Sequence, residues 1–114
     1  MQIKIQSTGF ELTPAIRELV EKKVGSLSKP LKRFEEKSEA IAVVEVSRTT
    51  KHHRHGDVFY AEINLNVSGR VIRAENSNVK LQAALDITKD KLKQEILRFK
   101  EKRVEKVKKS SPRS

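Results

Sequence analysis

Phe59-Tyr60-Ala61-Glu62-Ile63-Asn64-Leu65-Asn66-Val67 alternates without a break: Phe59, Ala61, Ile63, Leu65 and Val67 fall on one side, Tyr60, Glu62, Asn64 and Asn66 on the other. A period of two over this length is that of a β-strand with one face in a core and one in water. The sheet it belongs to is therefore covered on one side only. Ser68-Gly69 follows with the chemistry of a tight hairpin turn, and Arg70 to Glu75, carrying Val71, Ile72 and Ala74, predicts a shorter partner strand. Upstream, the β-branched run Ile41-Ala42-Val43-Val44-Glu45-Val46 predicts a strand from Ala40 to about Thr49 with one well-buried stretch. The polar segment Thr50-Lys51-His52-His53-Arg54-His55-Gly56-Asp57 between them reads as a hairpin loop.

Two amphipathic helices flank this strand set. Gln2 to Ser7 alternates around Ile3 and Ile5, a first strand. Thr13-Pro14 then supplies an N-cap and a first helical residue, and Ile16, Leu19, Val20, Val24 and Leu27 recur at helical spacing, so a helix is expected from Pro14 to about Ser28. Gly25 weakens it and Pro30 stops it or forces a turn, with Leu31 and Phe34 folding back onto the core. After a cap at Ser77 or Asn78, one apolar stripe from Val79 through Leu81, Leu85, Thr88, Leu92, Ile96 and Phe99 predicts a longer helix to about Lys102. Its end is expected to fray through Val107 into a disordered tail. The order β-α-β-β-β-α gives an α+β fold, a four-strand, largely antiparallel sheet with two helices on one face. One domain is expected over residues 1–105, with a basic tail over 106–114.

The chain has 114 residues, enough for one core, and 36% hydrophobic residues with four Phe, one Tyr and no Trp, so that core should be aliphatic. It has no cysteine, which excludes disulfides and thiolate zinc sites and fits a reducing, cytoplasmic setting. No apolar run reaches the roughly 18 to 20 residues that cross a bilayer. Lys and Arg number 25 against 15 Asp and Glu, a net charge of +10, which favours a polyanionic partner.

At 100° per residue with Leu92 facing the core, Lys80, Lys91, Arg98 and Lys102 fall within about 40° of one another on one flank of the second helix. Lys89, Lys93 and Lys100 gather on the other flank, and Asp86, Asp90 and Glu101 on the side away from the core. A rigid rail of cations can meet successive phosphates; the bland alternative is that lysine stems line the rim of the apolar stripe. The first helix and its extension add Arg17, Lys22, Lys23, Lys29, Lys32 and Arg33. Lys23 lies inside the apolar stripe between Leu19 and Leu27, so its ammonium must snorkel out or find a partner.

His52, His53 and His55 do not make a zinc site, because no cysteine or further histidine completes a four-ligand set. They read instead as part of a cationic finger with Arg48, Lys51 and Arg54. A nucleophile with its base, a metal-carboxylate set and a phosphate-cradling glycine loop are all missing among four scattered glycines, so no enzyme, cofactor, metal or small-molecule substrate is expected. Glu62 and Glu45 are cross-strand carboxylates whose ordinary role is salt pairing.

Glu11-Leu12-Thr13-Pro14-Ala15-Ile16-Arg17 after an alternating strand, and Ala83-Ala84-Leu85-Asp86 followed by Asp90-Lys91-Leu92 and Arg98, resemble the ribosome hibernation-promoting factor family, also called ribosome-associated inhibitors or sigma-54 modulation proteins. The element order agrees over about residues 2 to 102. The resemblance implies a fold similar to the double-stranded-RNA-binding fold, and binding of the small subunit and the whole ribosome through ribosomal RNA of the decoding region, which would occlude messenger and transfer RNA. By position it implies RNA contacts at Arg17, Lys23, Lys29, Lys91, Arg98 and Lys102; Lys80 joins them from the cationic rail, where its added charge should strengthen phosphate attraction. The sequence departs from the family's pattern at Lys80 and Gln82, where an acid and a tyrosine are usual, at Ser26 for a lysine and at Gln94 for an arginine. With its end near residue 114 the chain resembles the family's short form. Rival readings are a general RNA-binding module or RNA chaperone, a transcription regulator, for which a base-reading helix is missing, and a membrane-surface protein, for which large apolar residues on a cationic face are missing.

Overall fold

In the computed structural model, which describes residues 1–32, 39–49 and 58–110 with the side chains of 101–110 excepted, the elements are β1 (Gln2–Thr8), α1 (Pro14–Gly25), α2 (Ser28–Leu31), β2 (Ile41–Thr49), β3 (Val58–Val67), β4 (Arg70–Asn78) and α3 (Leu81–Ser110). The sheet runs β1-β2-β3-β4 in sequence order. β1 and β2 are parallel because helical segments connect them, and β3 is antiparallel to both its neighbours. The expected α+β architecture and largely antiparallel sheet are both present.

Register explains why one face is dry. Ala42, Leu65 and Ile72 lie across from one another, as do Ile5, Val44, Ile63 and Ala74. These rows pack against Val20 and Val24 of α1, Leu27, Leu31 of α2, and Leu85, Leu92 and Ile96 of α3 in one continuous aliphatic core. Thr88, the one buried polar residue among the described residues, sits 2.7 Å from the Ala84 carbonyl and 3.3 Å from that of Ala61, so its hydroxyl stays bonded where α3 crosses β3. The opposite face holds Lys4, Val43, Asn64 and Arg73 in one row and Gln6, Glu45, Glu62 and Glu75 in the next. The apolar run at the start of β2 is therefore buried on one side only, and Val43 is 36% exposed.

Local chemistry sets the ends. The Thr13 hydroxyl accepts from the Ile16 N–H at 3.2 Å, capping α1 with Pro14 in its first turn. Ser68 (φ 51°) and Gly69 (φ 76°) both take left-handed backbone, as the two-residue turn between β3 and β4 requires. The expected single helix to Ser28 instead stops at Gly25, and α2 begins at Ser28. Pro30 stands within the first turn of α2, where its missing N–H has no helical acceptor in any case. β4 is longer than expected, taking in Ser77 and Asn78, and the Asn78 side chain accepts from Lys80 N–H at 3.2 Å just ahead of α3. α3 continues past Lys102 to Ser110; the segment Glu101 to Lys109 is rich in Glu, Lys and Arg, which favour helix, and no Gly or Pro interrupts it. Arg33, Phe34 and the histidine loop lie outside the described residues.

Candidate nucleic-acid interface

Three of the expected cations stand exposed on or beside the helical layer. Arg17 on α1, Lys29 on α2 and Lys80 ahead of α3 are exposed, and none has an acidic partner among the described residues. Lys80 occupies the N-cap of α3, its carbonyl accepting the first helical bond from Ala84 N–H at 3.0 Å. The N-terminal end of a helix dipole is positive and favours anions, and the first turn of α3 contains no acid to offset the ammonium. The positive end of the dipole and a lysine thus converge on one spot suited to a phosphate.

The remaining expected residues divide between two flanks of α3. Lys23 Nζ is 2.8 Å from Asp86 Oδ1 across the α1–α3 seam, so Asp86 faces α1 rather than the side away from the core. Lys91 Nζ donates to the Glu75 carbonyl of β4 at 3.1 Å, and Arg98 pairs with Glu95 at 3.0 Å. Asp86 and Lys91 are about 140° apart around the helix axis, so Lys91 and Arg98 face the β4 edge while Lys23 lies in the seam. Lys102 is within α3, and its side chain is outside the described residues.

On the open face of the sheet the Glu45, Glu62 and Glu75 row is the reverse in character. The Arg73 guanidinium reaches Glu62 at 2.9 Å and Glu75 at 2.8 Å, Asn64 donates to Glu62 at 2.7 Å, and the Tyr60 hydroxyl lies between the two carboxylates. Arg73, with the Tyr60 and Asn64 donors, holds the Glu62 carboxyl down at about 2. Burial and the two acids push the Tyr60 hydroxyl up. Salt pairing is thus the role of Glu62, as expected, whereas Glu45 has no ionic partner among the described residues.

Sequence reasoning missed Arg70 and Arg73, which line the space between β4 and α3 together with Arg98. A helical wheel contains no strand residues; strand alternation extended through Asn78 would have put Arg73 on the exposed face.

Residues 3–104 match the family described as "Sigma 54 modulation protein / S30EA ribosomal protein". The chain belongs to that family. Among members of the family, it is 29% identical over 103 residues to the "Ribosome hibernation promotion factor" of Picosynechococcus sp., covering 90% of this chain and 50% of that one. It is 30% identical over 105 residues to the "Ribosome hibernation promoting factor" of Azotobacter vinelandii, covering 92% and 88%. The chain spans about half the length of the first of these relatives. Its fold superposes with a TM-score of 0.68 on the N-terminal domain of Thermus thermophilus Protein Y, at 33% identity, covering 87% of this chain and 99% of that domain. Against a ribosomal subunit interface protein from Coxiella burnetii the TM-score is 0.66 at 20% identity, covering 88% and 98%, a likeness of fold.

Proposed function

We propose that this S30EA-family chain is a ribosome hibernation factor that acts in the cytoplasm, binding small-subunit ribosomal RNA in the decoding region, on the free subunit or the whole ribosome, and blocking messenger and transfer RNA. The observation that carries the reading is the division of charge. Arg17, Lys29 and Lys80, with no acidic partner among the described residues, stand on the helical layer with Lys91 and Arg98, and the carboxylate row stands on the opposite face. A rigid helical face with that charge neutralises phosphates and releases their counterions, while the open face holds its Arg73 against Glu62 and Glu75. The protein then acts by occupancy, with no bond made or broken, and the printed names of the relatives from Picosynechococcus and Azotobacter agree with such a role.

Sedimentation of the protein with ribosomes and separated subunits through a sucrose cushion, alongside cell-free translation, tests the reading. Saturable one-to-one binding to the small subunit or the whole ribosome, with translation falling in step, is the expected result. Unsaturable binding to any RNA, without inhibition, would make the chain a general RNA-binding module or RNA chaperone instead.

A further inference from the structure

β4 is an edge strand, and α3 crosses over it without sealing its outer border. Two open troughs result, of about 460 and 300 Å³, which meet at Arg73 and Glu95. Lys91 and Arg98 stand on the α3 wall two turns apart, on nearly the same side of the helix. Arg70 and Arg73 stand on the β4 wall. The walls are charged and the troughs open along their length, which suits an extended polyanion better than an enclosed small molecule.

Arg70 is the residue that gives the trough a direction of binding. Its guanidinium carbon lies 5.0 Å from the centre of the Phe99 ring, and it has no acidic partner among the described residues. Contact with the ring holds the guanidinium in place without engaging its N–H donors in an ion pair. The acids in the trough, Glu75 and Glu95, pair with Arg73 and Arg98 respectively. The Arg98–Glu95 pair is about half exposed or more, the setting in which an ion pair contributes little and exchanges readily for a phosphate, whereas Arg73 is held by Glu62 as well.

We infer that the β4–α3 trough holds the backbone of a single-stranded RNA segment, with Arg70, held against Phe99, as a phosphate contact. A space bounded by one helix and one strand edge admits a single strand, the form in which a cationic groove with an aromatic wall tracks a nucleic-acid backbone. The inference rests on the ribosome-binding reading for the source of that strand, ribosomal RNA, and adds a strand-borne contact to the helical ones.

The test is fluorescence anisotropy of a labelled oligouridylate across a salt series, with ribosome pelleting in parallel. Arg70→Ala should weaken oligonucleotide binding about three- to tenfold and make the plot of log affinity against log salt shallower by about 0.7, the loss of one phosphate contact on a single strand. Arg70→Lys should fall between the two, since it keeps the charge and loses the planar fork. Phe99→Leu, which frees the guanidinium while keeping an apolar side chain, should weaken binding with the charge unchanged. Equal affinity and equal slope for wild type and Arg70→Ala would overturn the inference even if the wild-type protein pellets with ribosomes. Wild type failing to pellet, while Arg70→Ala still weakens oligonucleotide binding, would overturn the ribosomal reading and leave the trough as an RNA site.

Discussion

Lys23 and Asp86 form an ion pair at 2.8 Å that joins α1 to α3 across the seam of the helical layer. Oδ1 is shielded from water and accepts no hydrogen bond, so the lysine meets it by charge from off the hydrogen-bond direction. A pair of this kind, with side chains 23% and 37% exposed, adds about 1 kcal/mol or less to stability. It does hold one of the expected RNA-contacting cations against a carboxylate. Asp86→Asn should therefore leave the thermal midpoint nearly unchanged and raise ribosome affinity at low salt. Lower affinity in that variant would mean that Asp86 positions Lys23 for RNA rather than neutralising it.

The open sheet face should govern acid stability. Glu62 falls from the ordinary 4.5 to about 2 in the folded protein, chiefly through Arg73 and then Tyr60. A depressed carboxylate stabilises the fold above its unfolded value and loses that contribution as pH drops through the folded one. The wild-type urea midpoint should then decline between about pH 4.5 and pH 2. Glu62→Gln, which cannot titrate, should start lower at pH 7 and show a flatter profile across that window. Parallel profiles for the two proteins would assign the acid sensitivity to other carboxylates.

Much of the fold could be read from local chemistry. Alternation from Phe59 to Val67 placed the strand and its dry side, Thr13-Pro14 placed the start of α1, and Ser68-Gly69 placed the hairpin. The break between α1 and α2 was not legible, because Gly25 and Pro30 are each compatible with a weakened helix as well as with two helices. The partner of Lys23 was not legible either: Asp86 is remote in sequence, and a wheel drawn for α3 alone cannot show that α1 packs beside it. Arg70 and Arg73 were not legible as a site, because the trough exists only once β4 lies beside α3.

Two glycines with similar backbone should respond very differently to alanine. Gly9 (φ +84°) lies so close to the chain that an added Cβ would stand 2.3 Å from the Arg48 carbonyl oxygen, whereas one at Gly69 (φ +76°) would meet nothing. Gly69→Ala should cost about 1 kcal/mol, the left-handed penalty alone. Gly9→Ala adds a backbone clash that only a shift between the end of β1 and β2 can relieve, and should cost at least about 2 kcal/mol. Urea denaturation of the two variants checks the ordering, and equal costs would mean that the loop after β1 moves freely away from Arg48.

Lys80 offers a test in which stability and binding move in opposite directions. An ammonium at the N-cap of α3 opposes the helix dipole, and no acid in the first turn offsets it. Lys80→Asp replaces it with a residue that both complements the dipole and can cap the free N–H groups, so the variant should be more stable by about 0.5 to 1.5 kcal/mol. If the same spot holds a phosphate on the ribosome, the variant places a carboxylate where that phosphate binds, and ribosome affinity should drop about tenfold or more at low salt. Differential scanning calorimetry and cushion sedimentation on one preparation read both quantities. A more stable protein that pellets like wild type would make Lys80 a surface cation without a partner. A less stable one would show that the lysine supports the fold and that the dipole argument fails at this helix.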